Sequence, residues 1–393
     1  MACPRPDERP LRPSRPSRRL SRRDLLVWSG QVPLAAVALS SCSFLSTEPN
    51  TDKRSDTDPT TKKGKEAPRL AAEVKAGRLP PVAERLPKKP LVVEPVERMG
   101  VYGGEWNTAV LGAADGAWLY RTIGYEHLVN WDRGWTEPIP NIAESLEVED
   151  DGRRFVFHLR EGMRWSDGEP FTADDVVFAY DDVLMYEELS PQPPAWLVTD
   201  GNPGTIEKID DFTVQFEFSA PNGLFLENIA QPAGEGLTNK PKHYLSKFHK
   251  KYVDNVDELA KKEKHADWLA LFWAKASPFD YVGLPRITPW LITTPLGKGS
   301  RVVAERNPYY WKTDPDGSQL PYIDRIVYQV INDAETMTLA ATSGAYDMHE
   351  RHITTAQNKP VLARGREKGN YHFVEEIGSS MNSMVIALNL THK

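Results

Sequence analysis

The sequence predicts an α/β fold, and three stretches carry the prediction. From Arg154 to Leu184 a strand, a tight turn and a capped helix follow one another. From Phe212 to Phe218 apolar and polar residues alternate without a break. From Arg301 to Gly344 two strand-like runs lead into a further helix.

In the first stretch Phe155, Phe157 and Leu159 share one face, as a half-buried strand requires. Asp150-Asp151-Gly152 is the turn into that strand and Asp167-Gly168 the turn out of it, after which Pro170 fixes an extended approach. Thr172 and Asp175 form a T-x-x-D capping pair, with Val176, Val177, Tyr180, Val183 and Leu184 at helical spacing behind them. In the second stretch Phe212, Val214, Phe216 and Phe218 lie on one side and polar groups on the other, so one sheet face is expected to meet solvent. In the third, Arg301–Arg306 and the run through Ile331 read as strands, and Asp333 caps a helix through Leu339 and Ala341 that ends at Gly344. Gly103-Gly104 marks a turn near the start of the folded region. Leu119, Ile123 and Leu128 predict a helix over 116–129. Residues 240–276 have helical spacing, with Leu259, Leu269, Leu271 and Phe272 as core contacts. Met384–Leu390 reads as a last strand.

Length and composition suit a globular chain with tails: 393 residues, 40% hydrophobic and 26% charged. The formal charge of −7 is uneven. Eight of the 48 basic and three of the 55 acidic residues fall within residues 1–41, leaving that segment at +5 and the remainder at −12. An acidic body gives no reason to expect nucleic-acid binding. After the first forty residues no apolar run approaches the roughly 20 residues of a membrane span. The two cysteines, Cys3 and Cys42, both precede the folded region, so they offer neither a disulfide framework nor a metal site.

The N-terminus reads as an address. Ser21-Arg22-Arg23-Asp24-Leu25-Leu26 resembles the twin-arginine export motif, a moderately apolar stretch runs from Leu25 to Leu39, and Leu39-Ser40-Ser41-Cys42 resembles a lipobox. The expected organisation is a lipoprotein signal peptide over 1–41, with Arg22 and Arg23 as the export signal and Cys42 as the lipid attachment point. Residues 42–94, poor in large apolar side chains, are expected to be a disordered tether. The folded lobe follows over 95–393.

The run FHLREGMRWSDGEPFTADDVVFAY (157–180) resembles the signature of family 5 extracellular solute-binding proteins, the peptide- and oligosaccharide-binding subunits of bacterial ABC importers. Further blocks occur in order: Pro138–Leu146, Phe212–Phe218, Glu305–Trp311, Leu320–Ile326 and Gly344–Asp347. The Gly-Thr-Gly-Pro-Tyr block common before the strand at 301 is absent; Pro295-Leu296-Gly297-Lys298-Gly299 stands there. The resemblance implies a periplasmic-binding-protein-like fold of type II, with mixed sheets and flanking helices, in which Arg154–Leu184 is scaffold. It implies a peptide or oligosaccharide ligand, ABC permease subunits as partners, and a site outside the cytoplasm, on the outer face of the cytoplasmic membrane or in the periplasm. Because the family's members usually run well past 500 residues, the expectation is a chain that ends after its first lobe, with the second lobe largely missing. Such a chain is expected to bind solute weakly or not at all and, with a sheet edge uncovered, to associate or be unstable. By position in the family, the cleft candidates are Ala113, Ala114, Asp115 and Gly116, and Ser380, Met381 and Asn382.

The remaining chemistry is weaker. His349 and His352 are spaced i, i+3, whereas the zinc-protease helix needs i, i+4, so an exposed pair is expected. Asp174-Asp175 and Asp181-Asp182 read as cap and solvated surface. No nucleophile elbow, phosphate loop or dinucleotide fingerprint occurs, and neither an enzyme activity, a metal nor a cofactor is expected. Trp118, Trp131, Trp135, Trp165, Trp196, Trp290 and Trp311 suit sugar stacking or core packing, with core favoured for each and most of all for Trp165. A competing reading from another class is a lipoprotein with a structural or signalling role and no part in import.

Overall fold

A computed structural model describes residues 65–374 of the chain. Eight strands build its two main sheets. In chain order they are β1 (Glu105–Leu111), β2 (Ala143–Glu149), β3 (Arg154–Leu159), β4 (Thr205–Asp210), β5 (Thr213–Glu217), β6 (Trp290–Thr294), β7 (Arg301–Arg306) and β8 (Arg325–Ile331). One sheet runs β2-β3-β5-β4 and is antiparallel throughout; the other runs β6-β7-β8-β1, with β8 and β1 parallel. The fold is α/β with mixed sheets, as the sequence predicts.

The antiparallel sheet follows from its alternation. Phe155, Phe157 and Leu159 of β3 are buried and pair in register with β5, Phe157 opposite Val214 and Phe155 opposite Phe216. The rings of Phe157 and Phe216 then meet edge to face, with centroids 5.7 Å apart, the arrangement aromatic quadrupoles favour. Trp165, Phe171, Val176 and Tyr180 from the segment after β3 close over the same core.

The mixed sheet is different where β8 meets β1. Ile326, Val327 and Tyr328 are consecutive and all buried, because helices cover both faces, as parallel strands require. On one face lie Trp118, Leu119 and Ile123, in a helix spanning Gly116–Ile123. On the other, Met337, Ala341 and Leu362 pack on Ala109, from the helices Ala334–Thr342 and Lys359–Gly369. Asp333 caps the former by accepting the Thr336 amide at 2.7 Å.

Several elements depart from expectation. The helix predicted over 116–129 stops at Ile123, and Val129–Trp131 is a strand paired with Pro138–Pro140. Gly124 ends the helix where a Cβ would stand 3.1 Å from the Tyr120 carbonyl. The capped helix at 173 begins as predicted: the Thr172 hydroxyl accepts the Asp174 amide at 3.3 Å, and the Asp175 carboxylate accepts the Thr172 amide at 3.0 Å. After Val177 it widens into a π-helix over Phe178–Leu184, where the Tyr180 hydroxyl is drawn aside to the Gly204 carbonyl. Asp175 and Asp182 are buried rather than solvated. Asp175 also accepts Trp165 Nε1 at 3.2 Å and the Lys242 amide at 2.9 Å, and Asp182 is held by Lys251 and Tyr252.

The largest correction concerns the tether over 42–94. From residue 65 onward that segment is ordered, with helices at Pro68–Lys75 and Val82–Arg85, and with Leu91–Val92 paired in parallel to Lys312–Thr313. Ala67 and Leu70 are buried, Leu91 packs against the core of the antiparallel sheet, and polar groups add to the hold. Arg85 is fully buried and donates to the Pro80 and Pro308 carbonyls and to the side chains of Gln319 and Glu66. Residues 42–64 of the expected tether, the signal segment 1–41 and the strand expected at Met384–Leu390 lie outside the described residues.

Candidate functional site

The register of β8 and β1 brings their C-terminal ends side by side, Ile331 opposite Leu111, and the Gly112 amide donates to the Ile331 carbonyl at 2.7 Å. Crevices in α/β sheets form beyond such carboxyl ends. Gly112, at φ +74°, turns the chain out of β1 in a backbone conformation that L side chains rarely adopt. Ala113 and Ala114 are then exposed, Asp115 is buried, and the helix starts at Gly116. Gly297, from the segment standing where the family's usual block is absent, lies beside them: a Cβ there would come 4.0 Å from the Ala113 carbonyl oxygen.

Asp115 is the centre of this edge. One carboxylate oxygen accepts the Leu111 amide at 3.0 Å and His352 Nε2 at 2.9 Å; the other accepts Arg351 Nε at 2.8 Å. Burial works to raise the pKa of this carboxyl, and the Leu111 amide, Arg351 and His352 outweigh it, holding it below the ordinary value. Asp115 stays ionised with its oxygens engaged. Of the four candidates in this turn it is therefore a brace, and Ala113 and Ala114 are the open rim.

The segment carrying Arg351 and His352 lies along β1. Asp347 and Asn107 exchange backbone and side-chain bonds at 2.9 and 2.6 Å, and Trp106 Nε1 donates to the Met348 carbonyl at 3.0 Å. His349 Nε2 is 2.8 Å from the Arg351 carbonyl, so it carries the proton and Nδ1 accepts from the Thr108 hydroxyl at 2.8 Å. Thr108 in turn accepts Trp118 Nε1 at 3.0 Å. Burial pushes the His349 pKa down to about 4, against the smaller pull of the Arg351 carbonyl. His349 and His352 are thus not the exposed pair expected from sequence. Both are partly buried and bonded, because the chain folds back on β1 and on Asp115, a contact across more than 230 residues that no local spacing reveals. Arg121 and Glu350, 2.8 Å apart, form the exposed margin of the edge.

A second polar centre is internal. Glu126 is 2.9 Å from Lys312 and accepts the Tyr310 hydroxyl at 2.6 Å and Asn141 Nδ2 at 3.0 Å. Close by, Lys240 is pushed down to about 8 by burial despite Glu235. The bonds of Glu126 tie the turn after the Gly116–Ile123 helix to Asn141, Tyr310 and Lys312. The tryptophans divide as core packing predicts for most: Trp118, Trp165, Trp290 and Trp311 are buried, while Trp135 is 43% exposed with its ring 5.9 Å from that of Trp131. Among the described residues no group of three or more His, Cys, Asp or Glu is placed to hold a metal ion. The candidates Ser380, Met381, Asn382, Cys42, Arg22 and Arg23 lie outside the described residues.

The family model described as bacterial extracellular solute-binding proteins, family 5 Middle, matches residues 137–393. This chain belongs to that family. A periplasmic alpha-galactoside-binding protein of Rhizobium meliloti is 33% identical over 295 residues, 70% of this chain and 40% of that protein. Among solved structures, an oligopeptide-binding protein OppA is similar with a TM-score of 0.73 and 37% identity, over 78% of this chain and 48% of that one. The periplasmic binding protein MelB from Agrobacterium fabrum, in complex with stachyose, gives a TM-score of 0.62 at 29% identity, over 78% and 46%. The family 5 fold is therefore periplasmic-binding-protein-like, and this chain spans less than half the length of these relatives.

Proposed function

We propose that this family 5 chain is the extracytoplasmic solute receptor of an ABC importer, capturing oligosaccharides or peptides and delivering them to permease subunits in the membrane. The observation that carries the reading is the rim at the carboxyl end of the parallel pair, where Gly112–Gly116 and the Arg351–His352 segment are held together by Asp115. Relatives whose names record alpha-galactoside, stachyose and oligopeptide binding support the two solute classes. The role is capture without chemistry, and it needs no cofactor.

Export through the Arg22-Arg23 motif and lipid attachment at Cys42 complete the proposal and place the lobe on the outer face of the cytoplasmic membrane or in the periplasm.

The test is an equilibrium titration of the purified chain with raffinose, stachyose and a set of dipeptides, read by calorimetry. Saturable binding to one class supports the reading. Absence of saturable binding across both classes overturns it.

A further inference from the structure

We propose that Arg351 is a solute-contacting residue, offering its two terminal nitrogens to a pair of adjacent oxygen atoms on the solute. The inference rests on the reading of this edge as a solute site and names the group that does the recognising.

Arg351 is bonded through Nε, at 2.8 Å from Asp115. Its side chain is one quarter exposed, and among the described residues neither terminal nitrogen has a hydrogen-bond partner. A guanidinium gripped at Nε is fixed in orientation, and its remaining donors form a planar fork matched to two oxygens about as far apart as those of a carboxylate or of neighbouring sugar hydroxyls. The grip is itself stiffened. The same carboxylate holds His352, whose backbone sits at φ +68°, a left-handed conformation that is uncommon outside glycine and persists where surrounding contacts fix it. Glu350, the neighbouring acid, is engaged by Arg121 at 2.8 Å and does not compete for the fork. Asp115 is then a positioning residue, acting on the solute through Arg351.

Two solute chemistries offer such an oxygen pair: vicinal hydroxyls of a sugar and the carboxylate of a peptide. Titration of the full chain with raffinose and, separately, with dialanine distinguishes them. Arg351→Gln is expected to weaken binding of the preferred probe about tenfold or more, as loss of charge-assisted hydrogen bonds does, and to leave the thermal midpoint within a few degrees. Arg351→Lys, which keeps the charge and loses the fork, is expected to weaken it by a similar factor and serves if the glutamine variant fails to fold. Asp115→Asn is expected to weaken binding alone but to add little in the Arg351→Gln background, a non-additivity that general destabilisation would not produce. Retention of affinity by Asp115→Glu supports the positioning role. If the wild-type chain binds a probe and both Arg351 variants bind it equally well, this inference is overturned while the receptor reading stands. If the wild-type chain binds neither probe nor the other solutes, both fall together.

Discussion

Lys312 and Glu126 meet at 2.9 Å with neither side chain open to water. The pair joins the segment after β7 to the turn after the Gly116–Ile123 helix, and Tyr310 and Asn141 complete the carboxylate's bonds. Removing one charge strands the other in a dry place. Lys312→Met is expected to cost about 3–5 kcal/mol of unfolding free energy, and Lys312→Met with Glu126→Gln less than that single change. Urea unfolding of the variants checks this; a double variant weaker than Lys312→Met would show that the lysine acts by packing alone.

The N-terminal strap makes a sharper prediction because it separates two truncations. A chain starting at residue 65 keeps Arg85, its partners and the Leu91–Val92 pairing with Lys312–Thr313. A chain starting at 95 uncovers that short strand and leaves the Gln319 side chain and the Pro308 carbonyl without the guanidinium. The first is expected to melt within a few degrees of the full chain, and the second to lose ten degrees or more or to aggregate through the freed edge. Circular dichroism melts of the two decide it. Arg85→Ala in the full chain should reproduce part of the loss, about 2–4 kcal/mol, chiefly through the Gln319 side-chain oxygen and the Glu66 carboxylate that it leaves without a donor.

The cap at Thr172 gives a graded pair. Thr172→Ala removes one bond to the Asp174 amide and is expected to cost about 1 kcal/mol. Asp175→Ala removes the bonds to Thr172, Trp165 and Lys242 together and leaves three donors unpaired, the Trp165 indole fully buried among them, so a loss of about 2–4 kcal/mol is expected. Equal losses would mean that the network beyond the cap adds nothing.

What was legible in the sequence was what is periodic or local. Phe155-Phe157-Leu159 and Val214-Phe216 announce their strands by alternation, and Thr172 and Asp175 announce their helix start three residues apart; all are where they were expected. The strap was missed because Arg85 and backbone pairing add to its hold, whereas pattern reading weighs apolar side chains. The π-helix was missed because Phe178, Val183 and Leu184 fit an ordinary helical period about as well. In the candidate site, Asp115 and its turn were named as candidates through family position alone. Arg351 and His352 were not found, since their partner is more than 230 residues away and their spacing fits no motif. Contacts between distant segments leave no local trace in one sequence.

Acid should weaken this fold through two histidines. Burial pushes His127 and His349 down to about 4 each, His127 against Glu126 and Asn130, and His349 against the Arg351 carbonyl, Glu350 and Asp115. In the unfolded chain both titrate near 6.5. Between pH 6.5 and 4 the unfolded chain therefore holds protons that the folded chain refuses, and stability falls as the pH falls through that window. Asp175, raised by its burial, works in the opposite direction as the pH falls, because its folded form takes up a proton first. Asp115, held low, is lost only below the ordinary carboxyl range. The histidine effect is on the order of 1–3 kcal/mol per residue, so the urea midpoint is expected to drop clearly from pH 7.5 to pH 4.5. His127→Gln and His349→Gln should each lower stability at neutral pH by breaking hydrogen bonds, yet flatten this slope. A slope unchanged in both variants would place the acid sensitivity elsewhere, with the carboxylates.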